Sequence, residues 1–142
     1  DFALLHPAGA IGRKLFLRVK DIMRKGKDNP TIGQSGTVKD ALFIMTTTRL
    51  GAVSVVNKER RLVGYFTDGD LRRNLQKNEN ILNKKISSLM TRNPLTITPD
   101  RLAVEAGQLL KKRDCDNLPV VNEKGQVVGI IDERDLLEEG IV

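Results

Sequence analysis

Twice in 142 residues the chain runs an apolar strand into a sharp polar turn and the start of a helix. The first instance is Leu62-Val63-Gly64-Tyr65-Phe66-Thr67-Asp68-Gly69-Asp70-Leu71-Arg72-Arg73. The second, 65 residues on, is Val127-Val128-Gly129-Ile130-Ile131-Asp132-Glu133-Arg134-Asp135-Leu136-Leu137. A repeat of this kind constrains a fold more than composition does. Each copy must build the same unit, and the units together must bury what one alone leaves exposed. The register of 65 holds without a gap from Ala41 against Ala106 to Leu71 against Leu136.

Each copy reads as β-α-β-β-α behind a short leading turn. In the first copy Val19 to Met23 is that turn and Thr31-Ile32 a short strand. Thr37 is an N-cap with Asp40 three residues later, a capping-box pattern. The helix it opens sets Val38, Ala41, Leu42 and Met45 at helical spacing. Val53 to Val56 is a β-branched strand, Asn57 to Arg61 a hairpin turn, Leu62 to Phe66 the returning strand and Asp68 to Gln76 the second helix. In the second copy Ile86 to Met90 is the leading turn, and Asn93-Pro94-Leu95-Thr96-Ile97 reads as turn then strand. Pro99-Asp100 begins a helix that runs through Leu110. Leu118 to Val121 and Val127 to Ile131 are strands joined by a turn at Asn122 to Gly125.

One unit of ~60 residues builds only a marginal core. Two units packed sheet to sheet solve that, as a pseudo-twofold pair. The expected fold class is therefore α/β in its mixed, α+β form. The expected boundaries are a linker at 1–18, a first domain at 19–76, a polar linker at 77–85 and a second domain at 86–140.

Composition narrows the function classes. The net charge of +6 favours anionic partners such as phosphorylated ligands, nucleic acid or acidic lipid. The cations are scattered and aromatics are few, which argues against nucleic acid. No apolar run approaches the ~20 residues that span a membrane, and no signal peptide opens the chain. Cys115 is the only cysteine, so neither an internal disulfide nor a cysteine metal cluster can form, which fits a reducing cytoplasm. No metal-ligand spacing appears, and no cofactor is required. The chain starts at Asp1-Phe2-Ala3 without a Met and reads as a piece of a longer protein.

The first strand-to-helix turn is the best candidate site. Thr67 and Asp70 form a capping pair, and capping alone accounts for both residue types. The same turn presents free N–H groups and a positive dipole end to a phosphate. The Asp70 carboxylate can also accept hydrogen bonds from two adjacent sugar hydroxyls. In the second turn Asp132 replaces the threonine and Glu133 adds charge. Three carboxylates, at 132, 133 and 135, repel a phosphate unless Arg134 or a cation offsets them. Asp135 remains able to hold a sugar. The clusters Arg60-Arg61 and Lys111-Lys112-Arg113 read as solvated faces.

The leading Ile-Met and Leu-Met turns, the Pro-Val-Val strand of the second copy and the Gly-φ-φ-x-x-x-Asp-Leu end of each copy, falling in the same order in both, resemble tandem CBS domains, a Bateman module, over about residues 19–140. His6-Pro7-Ala8-Gly9-Ala10-Ile11-Gly12-Arg13-Lys14-Leu15, running into Val19 to Met23, resembles the junction between sugar isomerase (SIS) and CBS domains in bacterial D-arabinose 5-phosphate isomerases. Ala8-Gly9 departs from that family's usual Gly-Gly. The resemblance implies a parent that interconverts D-ribulose 5-phosphate and D-arabinose 5-phosphate for Kdo and lipopolysaccharide synthesis. It also implies that the SIS domain lies outside this chain. His6 matches a histidine of the SIS active site, a proton-transfer role it can fill only in the full-length parent.

The same resemblance puts the Thr67 hydroxyl near a phosphate and the Asp70 carboxylate on a ribose. Ala52-Val53 and Leu118-Pro119 then line the clefts through their backbones. It implies a regulatory nucleotide or nucleotide-sugar, with the cytidine nucleotide of Kdo (CMP-Kdo) as a feedback candidate. It further implies a homo-oligomer, a dimer of CBS pairs within a tetrameric parent. A ligand-free oligomerisation module, or a CBS pair from an unrelated protein, are the alternatives.

Overall fold

β-branched and apolar runs make short strands here, and the capped polar turns between them make helices. The computed structural model describes residues 10–142. They form two compact units: the described residues up to Lys25 with Thr96–Asn122 and Val128–Val142, and Gly26–Leu95 with Glu123–Val127. These units cut across the sequence repeats. The leading turn of each copy is grouped with the strands of the other.

The Gly26–Leu95 unit holds a three-stranded sheet of β1 (Thr31–Gly33), β2 (Ala52–Val56) and β3 (Leu62–Thr67) in that order. Helix α3 (Val38–Thr48) carries the chain from β1 to its parallel neighbour β2, and β3 returns antiparallel. Helix α4 (Asp68–Lys77) follows β3 directly. The hairpin turn forms because the Asn57 side-chain oxygen accepts from the Glu59 and Arg61 N–H groups at 3.0 and 2.9 Å, leaving Arg60 at φ 66°. β2 is buried at every residue, as a central strand should be. Ile32, Val38, Ala41, Met45, Val53, Val55, Phe66, Ile81, Ile86 and Met90 make the core.

Thr37 caps α3 as the sequence predicts. Its hydroxyl accepts from the Asp40 N–H at 3.2 Å, and the Thr37 N–H donates to Asp40 Oδ2 at 3.1 Å. Thr37→Ala should lower the free energy of unfolding by about 1 kcal/mol, read from the urea midpoint. Hydrogen bonds from Thr37, backbone first, hold the Asp40 carboxyl below its usual range. The contribution of this carboxylate is therefore present above its unfolded pKa and lost as pH falls through its folded one. The gap between wild type and variant should narrow on acidification.

The other unit holds α1 (Ala10–Phe16), α2 (Val19–Ile22), α5 (Ala103–Arg113), β4 (Asn117–Val121), β5 (Val127–Asp132) and α6 (Glu133–Glu138). Its sheet has two strands, β4 and β5. The strand expected at Leu95–Ile97 is reduced to one bridge between Ile97 and Val120. The reason lies in the repeat. In the first copy the Ser54 N–H donates to the Pro30 carbonyl at 2.9 Å. The counterpart of Ser54 is Pro119, which has no N–H to give. Helix α5 begins at Ala103 and not at Pro99. The Pro99 and Arg101 carbonyls instead accept from the Lys20 and Val19 N–H groups, both at 2.9 Å. The Ala103 N–H donates to the Leu17 carbonyl at 2.7 Å.

Candidate functional site

Local folding brings Thr67 and Asp70 together as expected. In the β2–β3 register Ala52 faces Thr67 and Val53 faces Phe66. The Asp68 N–H donates to the Gly51 carbonyl at 3.0 Å, which fixes the start of α4 against β2. A Cβ on residue 51 would stand 2.6 Å from Asp68 Oδ2, so a larger residue there would push the exposed Asp68 side chain aside. The Thr67 hydroxyl accepts from the Asp70 N–H at 3.2 Å. Asp70 Oδ2 accepts from the Thr67 N–H at 2.9 Å and from its hydroxyl at 3.1 Å. That leaves Oδ1, which holds Arg73 Nη2 at 2.5 Å. The Asp70 side chain is 12% exposed and that of Arg73 is 67% exposed. One oxygen of a nearly buried carboxylate thus faces a largely solvated cation. A ligand hydroxyl pair can displace that cation, and the released guanidinium can meet a phosphate.

The second turn repeats the scaffold with different chemistry. The Glu133 N–H donates to Asp116 at 2.8 Å, the counterpart of the Asp68–Gly51 bond. Asp132 is buried, receives the Asn117 side-chain amide on Oδ1 at 3.2 Å, and holds Arg134 Nε on Oδ2 at 3.0 Å. Asp135 is gripped by Arg24, whose Nε lies 3.2 and 3.1 Å from the two carboxylate oxygens and whose Nη2 lies 3.1 Å from Oδ1. The negative charge expected to repel a phosphate at this turn is partly offset by two arginines, Arg134 on Asp132 and Arg24 on Asp135. Sequence reasoning named Arg134 as one candidate and missed Arg24, which comes from 111 residues away.

The Arg24 backbone exchanges hydrogen bonds with Ile130 at 2.9 and 3.1 Å, so its side chain is delivered beside α6 by a strand-like bridge. Its guanidinium is held above its ordinary range, chiefly by the hydrogen bonds to Asp135. Arg24→Ala strips the partner from a carboxylate whose side chain is only 14% exposed. The loss should be about 2 kcal/mol in the urea midpoint, between the values for surface and fully buried pairs. An Arg24→Ala chain as stable as wild type would show that the pair contributes nothing net.

The remaining sequence candidates are placed as follows. Ala52 and Val53 are fully buried and Leu118 is 1% exposed, so their side chains belong to the core. The Pro119 carbonyl already accepts from the Ile97 N–H at 3.1 Å. His6 lies outside the described residues. Among the described residues no group of three His, Cys, Asp or Glu could hold a metal ion, and no helix is long and apolar enough to cross a membrane. Burial first, then Asp116 and Asp114, push the Cys115 thiol up.

Comparison with known proteins agrees with this architecture. The CBS-domain family profile matches residues 19–77 and 86–141. Over all 142 residues the chain is 40% identical to the arabinose 5-phosphate isomerase KdsD of Yersinia pestis, and it spans 43% of that protein's length. The CBS domain pair of protein MJ0100, solved with 5′-methylthioadenosine and S-adenosyl-L-methionine, is 27% identical with a TM-score of 0.77, over 87% of this chain and 94% of that one. CBSX2 in complex with AMP is 25% identical with a TM-score of 0.75, over 88% and 96% of the two chains. The resemblance read from the sequence, to a CBS pair akin to that of the isomerases, stands on these matches.

Proposed function

The chain belongs to the CBS-domain family, two copies of the domain in tandem, and from that premise we propose that it is a regulatory module that binds a nucleotide or nucleotide-sugar and biases an attached arabinose 5-phosphate isomerase. The observation that carries this is the state of Asp70. Its carboxylate is nearly buried at the opening of a ten-residue helix, with one oxygen committed to the cap and the other offered to a displaceable arginine. A nucleotide supplies both groups this turn suits, a ribose diol for Asp70 and a phosphate for Thr67, Arg72 and Arg73. Asp135, gripped by the less exposed Arg24, is the poorer host, so one principal site per chain is expected. AMP in CBSX2 and the adenosine ligands in MJ0100 support a nucleotide. Within the isomerase reading, CMP-Kdo is the ligand with a feedback rationale. The catalytic chemistry belongs to the SIS domain, with His6 contributing there.

Titration calorimetry of the chain with AMP, ATP, CMP and CMP-Kdo tests the proposal. Heat from at least one, abolished by Asp70→Ala, supports it, and no heat from any at millimolar concentration rejects it. A second reading, assembly without ligand, is favoured by Leu15 and Phe16, which are 46% and 59% exposed on α1. Light scattering separates the two. An oligomer indifferent to every nucleotide supports assembly, and a nucleotide-dependent mass supports regulation.

A further inference from the structure

Helix α1 is fixed on one side and bare on the other. Gly12 is buried, whereas Arg13, Lys14, Leu15 and Phe16 are all exposed. Leu15 and Phe16 are large apolar side chains, yet they are 46% and 59% exposed. The helix packs on α5. Just past its end the Leu17 carbonyl accepts from the Ala103 N–H at 2.7 Å, and the Val19 N–H donates to the Arg101 carbonyl at 2.9 Å. The Lys14 side chain lies over Gly140, its Nζ 3.0 Å from where a Cβ would stand there. Gly140 follows α6, the helix that opens at Asp132 and Asp135. α1 is thus tied to α5 and to the end of α6, and it holds out an apolar pair preceded by two cations.

Two such side chains offer on the order of 200 Å². A stable interface between free proteins buries ~800 Å² on each partner, so this face alone is too small to hold two copies together. A tethered partner needs far less contact, because a short linker keeps it at an effective concentration in the millimolar range. The isomerase reading supplies such a partner. With His6 in the SIS active site, α1 starts four residues on, at most ~14 Å of extended chain away. The run from Ala10 to Phe16 adds ~9 Å of helix. Phe16 then stays within ~25 Å of that active site, less than the ~30 Å diameter of a small domain.

We propose that the Leu15–Phe16 face of α1 docks on the SIS domain of the parent, against an apolar patch with acidic groups opposite Arg13 and Lys14, and that this contact carries the module's ligand state to the isomerase. The proposal rests on the isomerase reading of the chain and not on which nucleotide binds.

Hydrogen exchange over residues 10–17, compared by mass spectrometry in the 142-residue chain and in the full-length parent, decides it. α1 has only seven residues and should exchange fast in the chain alone. In the parent the same amides should exchange roughly tenfold more slowly. Phe16→Glu in the parent should restore fast exchange and abolish any effect of nucleotide on the isomerisation rate, while the heat of nucleotide binding stays. Because Phe16 is exposed, the same substitution in the 142-residue chain should leave the urea midpoint unchanged, and Leu15→Ser supplies an independent check. The proposal is overturned if residues 10–17 exchange alike in chain and parent, or if their protection survives Phe16→Glu. It is equally overturned if the chain alone is protected at high concentration and loses that protection as dilution lowers its mass in light scattering, since the occupant is then a second copy. A parent that binds no nucleotide sinks the regulatory reading, and the exchange comparison still decides the docking.

Discussion

Asp70→Ala should weaken nucleotide binding by about a hundredfold, the equivalent of two hydrogen bonds from ribose hydroxyls to a charged acceptor. The carboxylate is nearly desolvated before any ligand arrives, so little further desolvation opposes binding. Its partner Arg73 is mostly in water, so releasing it costs little. The same substitution removes one half of the cap on α4, which should cost about 1 kcal/mol of stability. The two effects separate in Asp70→Asn. The amide keeps an acceptor for the Thr67 N–H but loses the charge, so the cap should survive better than the affinity. Asp135→Ala should behave in reverse. It strands Arg24 and lowers stability, with a small effect on affinity. Calorimetry and urea unfolding of the three variants check the pattern. Equal affinity losses at 70 and 135 would contradict a single principal site.

Much of this was legible in the chain because its signals are local. Both threonine capping boxes follow from a hydroxyl and a carboxylate three residues apart, and both form. The hairpins follow from Asn57 and Gly125 between β-branched runs. The repeat gave two copies of one unit, and the family match agrees. What stayed hidden depends on pairs distant in sequence. Arg24 reads as one more scattered cation until the bridge to Ile130 lays it beside Asp135. The missing strand at Leu95–Ile97 was in principle readable, because a proline at the position of Ser54 removes a ladder donor.

Gly129→Val should lower stability by about 4 kcal/mol, from overpacking together with the backbone bonds and ion pair it disrupts. A Cβ on residue 129 would stand 2.7 Å from Met23 Sδ and 2.8 Å from the Arg24 carbonyl oxygen. The sulfur can move, but the carbonyl cannot, because it accepts the Ile130 N–H at 3.1 Å. Accommodating the side chain therefore means breaking the Arg24–Ile130 bridge, and with it the delivery of Arg24 to Asp135. Gly64 is the equivalent residue of the other copy, and the three atoms nearest to a Cβ there all belong to the Met90 side chain. Gly64→Val should cost about half as much, since a flexible thioether can repack. Double substitutions distinguish the two mechanisms. Met90→Ala should rescue most of Gly64→Ala, whereas Met23→Ala should leave Gly129→Ala destabilised, because the Arg24 carbonyl remains in place. If both methionine truncations rescue equally, the obstruction at Gly129 is the side chain and the backbone bridge is not what demands glycine there.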